Sequence, residues 1–215
     1  DQIKESGSFS LVGFRGMDLK GKTIGIIGTG RIGKEMIKMA KGFDMKIAAY
    51  DTFPDQNFSQ QFGFSYVTLE ELLKTSDVIS VHCPYNKETH HLINKENINL
   101  IKPGAYLVNT ARGGIVETDA LIEALNKKIL AGVGLDVLEE EGETKDELNL
   151  LMRAHPKEEE LKTMLQNHIL MKMPNVLITP HNAFNTQEAM ERILGITLQN
   201  IKTFLAGNPK NLVKP

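Results

Sequence analysis

Short β-branched apolar runs alternate with amphipathic stretches along this chain. The run TIGII at Thr23–Ile27 reads as a buried strand. A helical pattern follows, with Ile32, Met36, Met39, Ala40 and Phe43 on one face, ended by Gly42 and the pair Phe43-Asp44. Lys46–Tyr50 is a second strand closing at Asp51. Residues 58–64 form a short linking element and residues 65–67 a brief strand. A short helix over 69–74 has Thr68 as N-cap and Glu71 in the capping-box position. Residues 77–82 read as a third strand, stopped by Pro84, and residues 95–101 as a helix before the turn at Pro103-Gly104. A fourth strand, 105–109, precedes a helix over 119–126 that turns Ala120, Leu121, Ala124 and Leu125 inward. Residues 131–135 are a fifth strand. Residues 142–173 break the rhythm: charged and Met/Leu-rich, they read as an insertion or lid-like excursion. Pro156 there starts a helix with Leu161, Met164 and Leu165 on one face. Residues 176–179 are a last strand, stopped by Pro180. Residues 186–205 are a long amphipathic helix striped by Met190, Ile193, Leu194, Thr197, Leu198, Ile201 and Leu205.

Strands alternating with helices predict an α/β fold of the Rossmann type, a doubly wound parallel sheet with right-handed crossovers. In such a sheet ligands bind outside the carboxyl ends of the strands. The opening DQIKESGSFS has the character of a helix tail and a loop, so the chain is expected to be part of a longer one.

Gly28-Thr29-Gly30-Arg31-Ile32-Gly33 joins the first strand to the first helix as G-x-G-x-x-G. Gly28 permits the tight turn, Gly30 lets a pyrophosphate approach the backbone, and Gly33 lets the helix pack close to the strand. The phosphates then face the unpaired N–H groups and positive dipole end of the helix. A glycine-rich turn alone is a weak signal. Here it follows a strand, opens a helix and is answered by Asp51, whose carboxylate suits a ribose diol and repels a 2′-phosphate. The cofactor implied is NAD in preference to NADP.

Composition changes this picture little. A net charge of −2 gives no electrostatic case for nucleic acid or an anionic membrane, and no apolar run is long enough to span one. The single cysteine, Cys83, excludes an internal disulfide and suits a reducing cytoplasm. No histidine or cysteine spacing points to a metal, and the adjacent His90 and His91 read as surface residues of a loop.

At the strand ends lie Gly28, Asp51, Cys83-Pro84, Thr110-Ala111-Arg112, Asp136 with the acidic run to Glu141, and His181. Arg112 is suited to a bidentate grip on a carboxylate. His181 is suited to acid–base work near neutral pH. Glu139, Glu140 or Glu141 would orient and charge that histidine. Singly, each has a plainer reading: a solvated turn arginine, a surface histidine after proline, a solvated acidic run. Their shared edge with the cofactor turn is what favours a site.

VNTARGG (residues 108–114), GLDVLEEE (134–141) and ITPHNAF (178–184), in order behind GTGRIG, resemble the D-isomer-specific 2-hydroxyacid dehydrogenase family over nearly the whole chain. SDVISVHCP and the Lys102-Pro103-Gly104 turn match too. The resemblance implies an NAD-dependent enzyme with catalytic Arg112, Glu141 and His181; the family's glutamate lies five places after Asp136, which selects Glu141. It implies cofactor contacts at Arg31, Ile32, Asp51, Cys83, Pro84, Thr89, Thr110, Ala111 and Asp136, besides the glycines. Asp136 would help to orient the nicotinamide carboxamide. It also implies a small 2-oxoacid or 2-hydroxyacid substrate and a homodimer, with Phe184 pointing to the D-lactate dehydrogenase branch. The family also contains NADH-binding corepressors, an alternative that the intact Arg–Glu–His set does not exclude. A methyltransferase with a Rossmann-like sheet is disfavoured by GTGRIG together with the ARG and TPH motifs. Residues 1–185 are expected to form the NAD-binding domain. Residues 186–215 would be the last helix and tail of a substrate domain whose N-terminal segment is absent. The stretch between Glu141 and His181 is long for the family.

Overall fold

A computed structural model of the chain describes residue 7, residues 15–140 and residues 157–212. Seven parallel strands form one sheet in the order β3-β2-β1-β4-β5-β6-β7. They are β1 (Thr23–Ile27), β2 (Lys46–Tyr50), β3 (Ser65–Tyr66), β4 (Val78–Val81), β5 (Ala105–Asn109), β6 (Leu130–Leu135) and β7 (Val176–Ile178). The order reverses between β1 and β4, so the carboxyl ends of these two strands flank the crevice that this topology offers to a ligand.

The helices are α1 (Arg31–Gly42), α2 (Gln56–Phe62), α3 (Leu69–Thr75), α4 (Thr118–Asn126), α5 (Glu158–Lys172) and α6 (Gln187–Leu205). Alternate residues along the strands feed two separate cores. Ile24 and Ile26 pack on one face with Ile37, Ala40 and Phe58. Ile27, Ile79, Val81, Leu107, Val133 and Leu135 pack on the other with Leu72, Leu73 and the inward residues of α4. Those inward residues are Ala120, Leu121, Ala124 and Leu125, as the helical period predicts. Thr68 caps α3 by accepting from Glu71 N–H.

Three elements differ from their sequence reading. First, α1 buries Gly33, Ile37 and Ala40, while Ile32, Met39 and Phe43 are exposed. Gly33 sits directly on the β1 turn, and the face it shares with Ile37 and Ala40 is the one that packs on the sheet. Second, residues 95–101 hold only a 3-10 turn, Ile98–Leu100. Asn94 accepts from the N–H of Glu96 and Asn97, and Asn97 accepts from that of Asn94; such side-chain bonds compete with helical ones. Third, of the stretch read as an excursion, residues 142–156, Pro156 among them, lie outside the described residues. The remainder contains α5, the connection into β7. It turns Met164, Asn167 and Leu170 inward and leaves Leu165 exposed.

No residue of α6 is buried. Its stripe of Met190, Ile193, Leu194, Leu198, Ile201 and Leu205 faces outward. Leu107→Ala should therefore cost about 2–5 kcal/mol of unfolding free energy in urea titration, whereas Leu198→Ala should stay within about 0.5 kcal/mol. Equal losses at the two positions would place α6 in the core.

Candidate active site

The glycine turn is built as its spacing demands. Gly28 has φ of +90°, and a Cβ there would lie 2.5 Å from the Cys83 nitrogen at the end of β4. A Cβ on Gly33 would lie 2.0 Å from the carbonyl oxygen of Gly28. Gly30 is the opposite case: it precedes α1, no side chain caps the helix, and a Cβ on it would meet nothing within 4 Å. Open backbone at an uncapped helix start fits a dinucleotide pyrophosphate.

Asp51 closes β2 beside this turn. Its Oδ2 accepts from Thr29 N–H (2.6 Å) and the Thr29 hydroxyl (2.9 Å), and its Oδ1 from Phe53 N–H (2.8 Å). Partial burial disfavours its charge. The bonds from Phe53 and Thr29, with the Lys34 ammonium, outweigh that and hold the carboxyl below its ordinary value. Oδ1 keeps acceptor capacity for a ribose hydroxyl.

Seven of the expected residues, Arg31, Ile32, Cys83, Pro84, Thr110, Ala111 and Arg112, line one cleft of about 520 Å³ at the switch point. His82 and Tyr85 line it as well, and sequence reasoning missed both. His82 ends an apolar strand, a position where a polar residue is itself a signal. Its Nε2 lies 2.9 Å from the Ser80 hydroxyl, and burial pushes its pKa down to about 4. Burial likewise pushes the Cys83 thiol up to about 11, so it is neither ionised nor nucleophilic at neutral pH. Thr89 does not line this cleft. Its hydroxyl donates to the Pro84 carbonyl (2.6 Å) and accepts from Asn86 N–H (2.8 Å), closing the loop that presents Pro84 and Tyr85.

The turn bearing Arg112 hangs on buried Asn109, another residue missed. Asn109 accepts from Ala111 N–H (3.0 Å) and donates to the Arg112 carbonyl (2.8 Å). The Arg112 guanidinium is exposed, donating to the Ala111 carbonyl (2.6 Å), with no carboxylate partner among the described residues. Gly113 is required because its missing Cβ would lie 2.0 Å from the backbone of Leu138.

Asp136, at the end of β6, is buried and holds the loop of His181. It accepts from the Thr179 hydroxyl (2.5 Å), Asn182 N–H (2.7 Å) and Ala183 N–H (2.9 Å). Burial opposes its ionisation, but these three donors, with the His181 imidazole nearby, keep its pKa low. His181 itself has φ of +52° and meets Phe184 edge to face at 6.3 Å.

Of the acidic run, Glu139 is committed to structure. Its Oε2 accepts from the N–H and hydroxyl of Thr118, first residue of α4, and its Oε1 lies 2.5 Å from His91 Nε2. Glu141 lies outside the described residues. His90 is an exposed loop residue, as read; His91, stacked on it at 3.8 Å, is instead partly buried against Glu139. Among the described residues no group of His, Cys, Asp or Glu is arranged to hold a metal, and no helix is long and apolar enough to cross a membrane.

A parallel sheet of this order, with an open glycine turn and an acid closing the second strand, defines a dinucleotide-binding domain of the Rossmann type. Residues 1–183 match the NAD-binding domain of the D-isomer specific 2-hydroxyacid dehydrogenases, and the chain belongs to that family. It is 45% identical over 208 residues to 2-hydroxyacid dehydrogenase A of Aspergillus oryzae, covering 95% of this chain and 56% of that protein. Against glyoxylate reductase of Thermococcus litoralis it is 42% identical, covering 93% and 54%. The D-lactate dehydrogenase of Aquifex aeolicus, solved with NAD and lactic acid, superimposes with a TM-score of 0.85 at 39% identity, over 97% of this chain and 60% of that one. The chain thus spans somewhat over half the length of these relatives.

Two outcomes follow from this geometry. NADH should bind at least about tenfold tighter than NADPH, about 1.4 kcal/mol, and Asp51→Ala should narrow the gap. Equal affinities of the unaltered chain in a fluorescence titration would refute the role of Asp51. With the folded His82 pKa pushed down to about 4 by burial, the unfolded chain takes up its proton first as pH falls. Stability should therefore drop from pH 6.5 towards 4 and level off below, by about 3 kcal/mol for this group. His82→Gln should flatten that part of an unfolding-against-pH curve; an unchanged slope would show that His82 is charged in the folded protein.

Proposed function

We propose that the protein interconverts a D-2-hydroxyacid and a 2-oxoacid with NAD, with D-lactate and pyruvate as the first pair to assay. The observation that carries this is the convergence of the glycine turn, the Arg112 turn and the His181 loop on one edge of the sheet, in a chain of this family. Bound NADH supplies a hydride to the carbonyl carbon. Arg112 grips the substrate carboxylate through two guanidinium N–H groups and polarises the adjoining carbonyl. An imidazolium N–H of His181 passes its proton to the carbonyl oxygen as the C–O π bond opens. The products are then the hydroxyacid, NAD and neutral imidazole. Glu141 holds that imidazole and favours its charged form. Asp136 keeps the His181 loop in place, with one acceptor site left for the nicotinamide carboxamide.

The finer parts of this reading are that the enzyme works in the cytoplasm, as a homodimer through this domain, and that α6 with the tail to residue 215 belongs to the substrate domain. The single cysteine supports the first, and the outward apolar stripe of α6 supports the last.

In the complete enzyme His181→Ala should lower kcat about a hundred- to ten-thousandfold. Glu141→Gln removes the charge that favours imidazolium, so pyruvate reduction should fail at a lower pH than in the unaltered enzyme, whereas Glu140→Gln should leave the profile in place. A shift with Glu140→Gln alone would move the role by one residue. NADH binding without turnover of any 2-oxoacid would instead indicate a scaffold.

A further inference from the structure

The paired histidines are the one motif that the proposed reaction does not use. They lie on the loop after β4, between the cleft and the acidic run. His91 makes two contacts that join different parts of the site. Its backbone N–H donates to the carbonyl of Gly114 (2.8 Å), two residues beyond Arg112. Its Nε2 lies 2.5 Å from Oε1 of Glu139, two residues before Glu141. The surroundings hold it there. Its own carbonyl accepts from the Asn94 amide (3.0 Å), and its ring stacks on His90. The Nδ1 of His90 lies 3.0 Å from the hydroxyl of Tyr85, a wall of the cleft, and the Tyr85 ring packs against Gly114.

The two segments that His91 bridges also touch directly. Gly113 has no Cβ, and the space it would take is filled by the backbone of Leu138 and Glu139 at 2.0–2.2 Å. Glu139 is fixed from three further directions, by Thr118 N–H, the Thr118 hydroxyl and, at its carbonyl, the Asn167 amide (2.8 Å). His91 has φ of +50°, a conformation that costs a non-glycine residue energy and persists where contacts over-determine it.

We propose that His91 is a positioning residue for 2-oxoacid reduction: through Gly114 and Glu139 it clamps the Arg112 turn to the segment that follows β6. This rests on the reaction proposed above. His91 is assigned no contact with substrate or cofactor. Its effect arises because the turn that bears Arg112 is held against the backbone of Leu138 and Glu139, and misplacement of a substrate-binding group by about 1 Å can cost a hundredfold in rate.

The test compares His91→Leu, which keeps the backbone N–H but loses the ring donor, with His91→Gln, which restores an uncharged N–H donor to Glu139. In the complete enzyme His91→Leu should lower kcat for pyruvate at least about thirtyfold and leave the NADH dissociation constant within about twofold. His91→Gln should recover kcat to within about threefold. Hydrogen exchange gives a readout independent of turnover: His91→Leu should speed exchange in residues 111–116 and 137–140 but not in β1 and α1, and His91→Gln should not. The clamp is refuted if His91→Leu keeps kcat, if His91→Gln is as impaired as His91→Leu, or if NADH affinity falls in step with kcat. Should the unaltered enzyme reduce no 2-oxoacid, the proposed reaction fails by itself, and the exchange data still decide the clamp, with unchanged exchange in His91→Leu overturning it.

Discussion

The backbone contact at the first turn constrains the rest of the site. Gly33 lies against the Gly28 carbonyl, and Gly28 against Cys83, with no room for a Cβ at either place. These contacts set α1 on β1 and bring the end of β4 beside both. The same closeness leaves the start of α1 uncapped and Gly30 open. Without it, Arg31 and Ile32 would not face Cys83 and Pro84 across the cleft. Ile32, which an apolar-stripe reading places inside, is exposed in this arrangement, with Gly33, Ile37 and Ala40 turned to the sheet.

Beyond that turn, the loops at the strand ends are held by buried polar groups. Asn109 ties the Arg112 turn to β5, Asp136 ties the His181 loop to β6, and Glu139 ties the acidic run to α4. Each is satisfied by several donors or acceptors at once, as a buried polar group must be to offset its desolvation. Such bonds are directional where hydrophobic packing is not. They place the backbone of a loop to within a hydrogen-bond length, a precision that a functional site needs from its supports.

Much of this was legible in the sequence. The strands, the inward face of α4, the cap at Thr68 and the cleft residues Cys83, Pro84 and Thr110 to Arg112 follow from periodicity, turn chemistry and the strand-end rule, while Arg31 and Ile32 come from the family resemblance. The errors have physical causes. Asn94 and Asn97 divert a helical pattern into turns with their own side chains. His91 looks solvated because its side-chain partner Glu139 is 48 positions away along the chain. His82 and Asn109 were overlooked because a lone polar residue ending an apolar run has several meanings, and only the neighbouring strand decides among them.

The carboxylates show why residue type alone does not assign roles. Asp51, Asp136 and Glu139 all stand just past strands, and all would serve as acids or bases by composition. In the structure each has both oxygens engaged: Asp51 by Thr29 and Phe53, Asp136 by the His181 loop, Glu139 by Thr118 and His91. Three donors on one carboxylate take up most of its lone pairs, and at Asp51 and Asp136 they hold the carboxyl below its ordinary value. These acids therefore organise the edge. Asp136 holds the histidine loop, and Glu139, three residues further on, anchors the acidic run to α4.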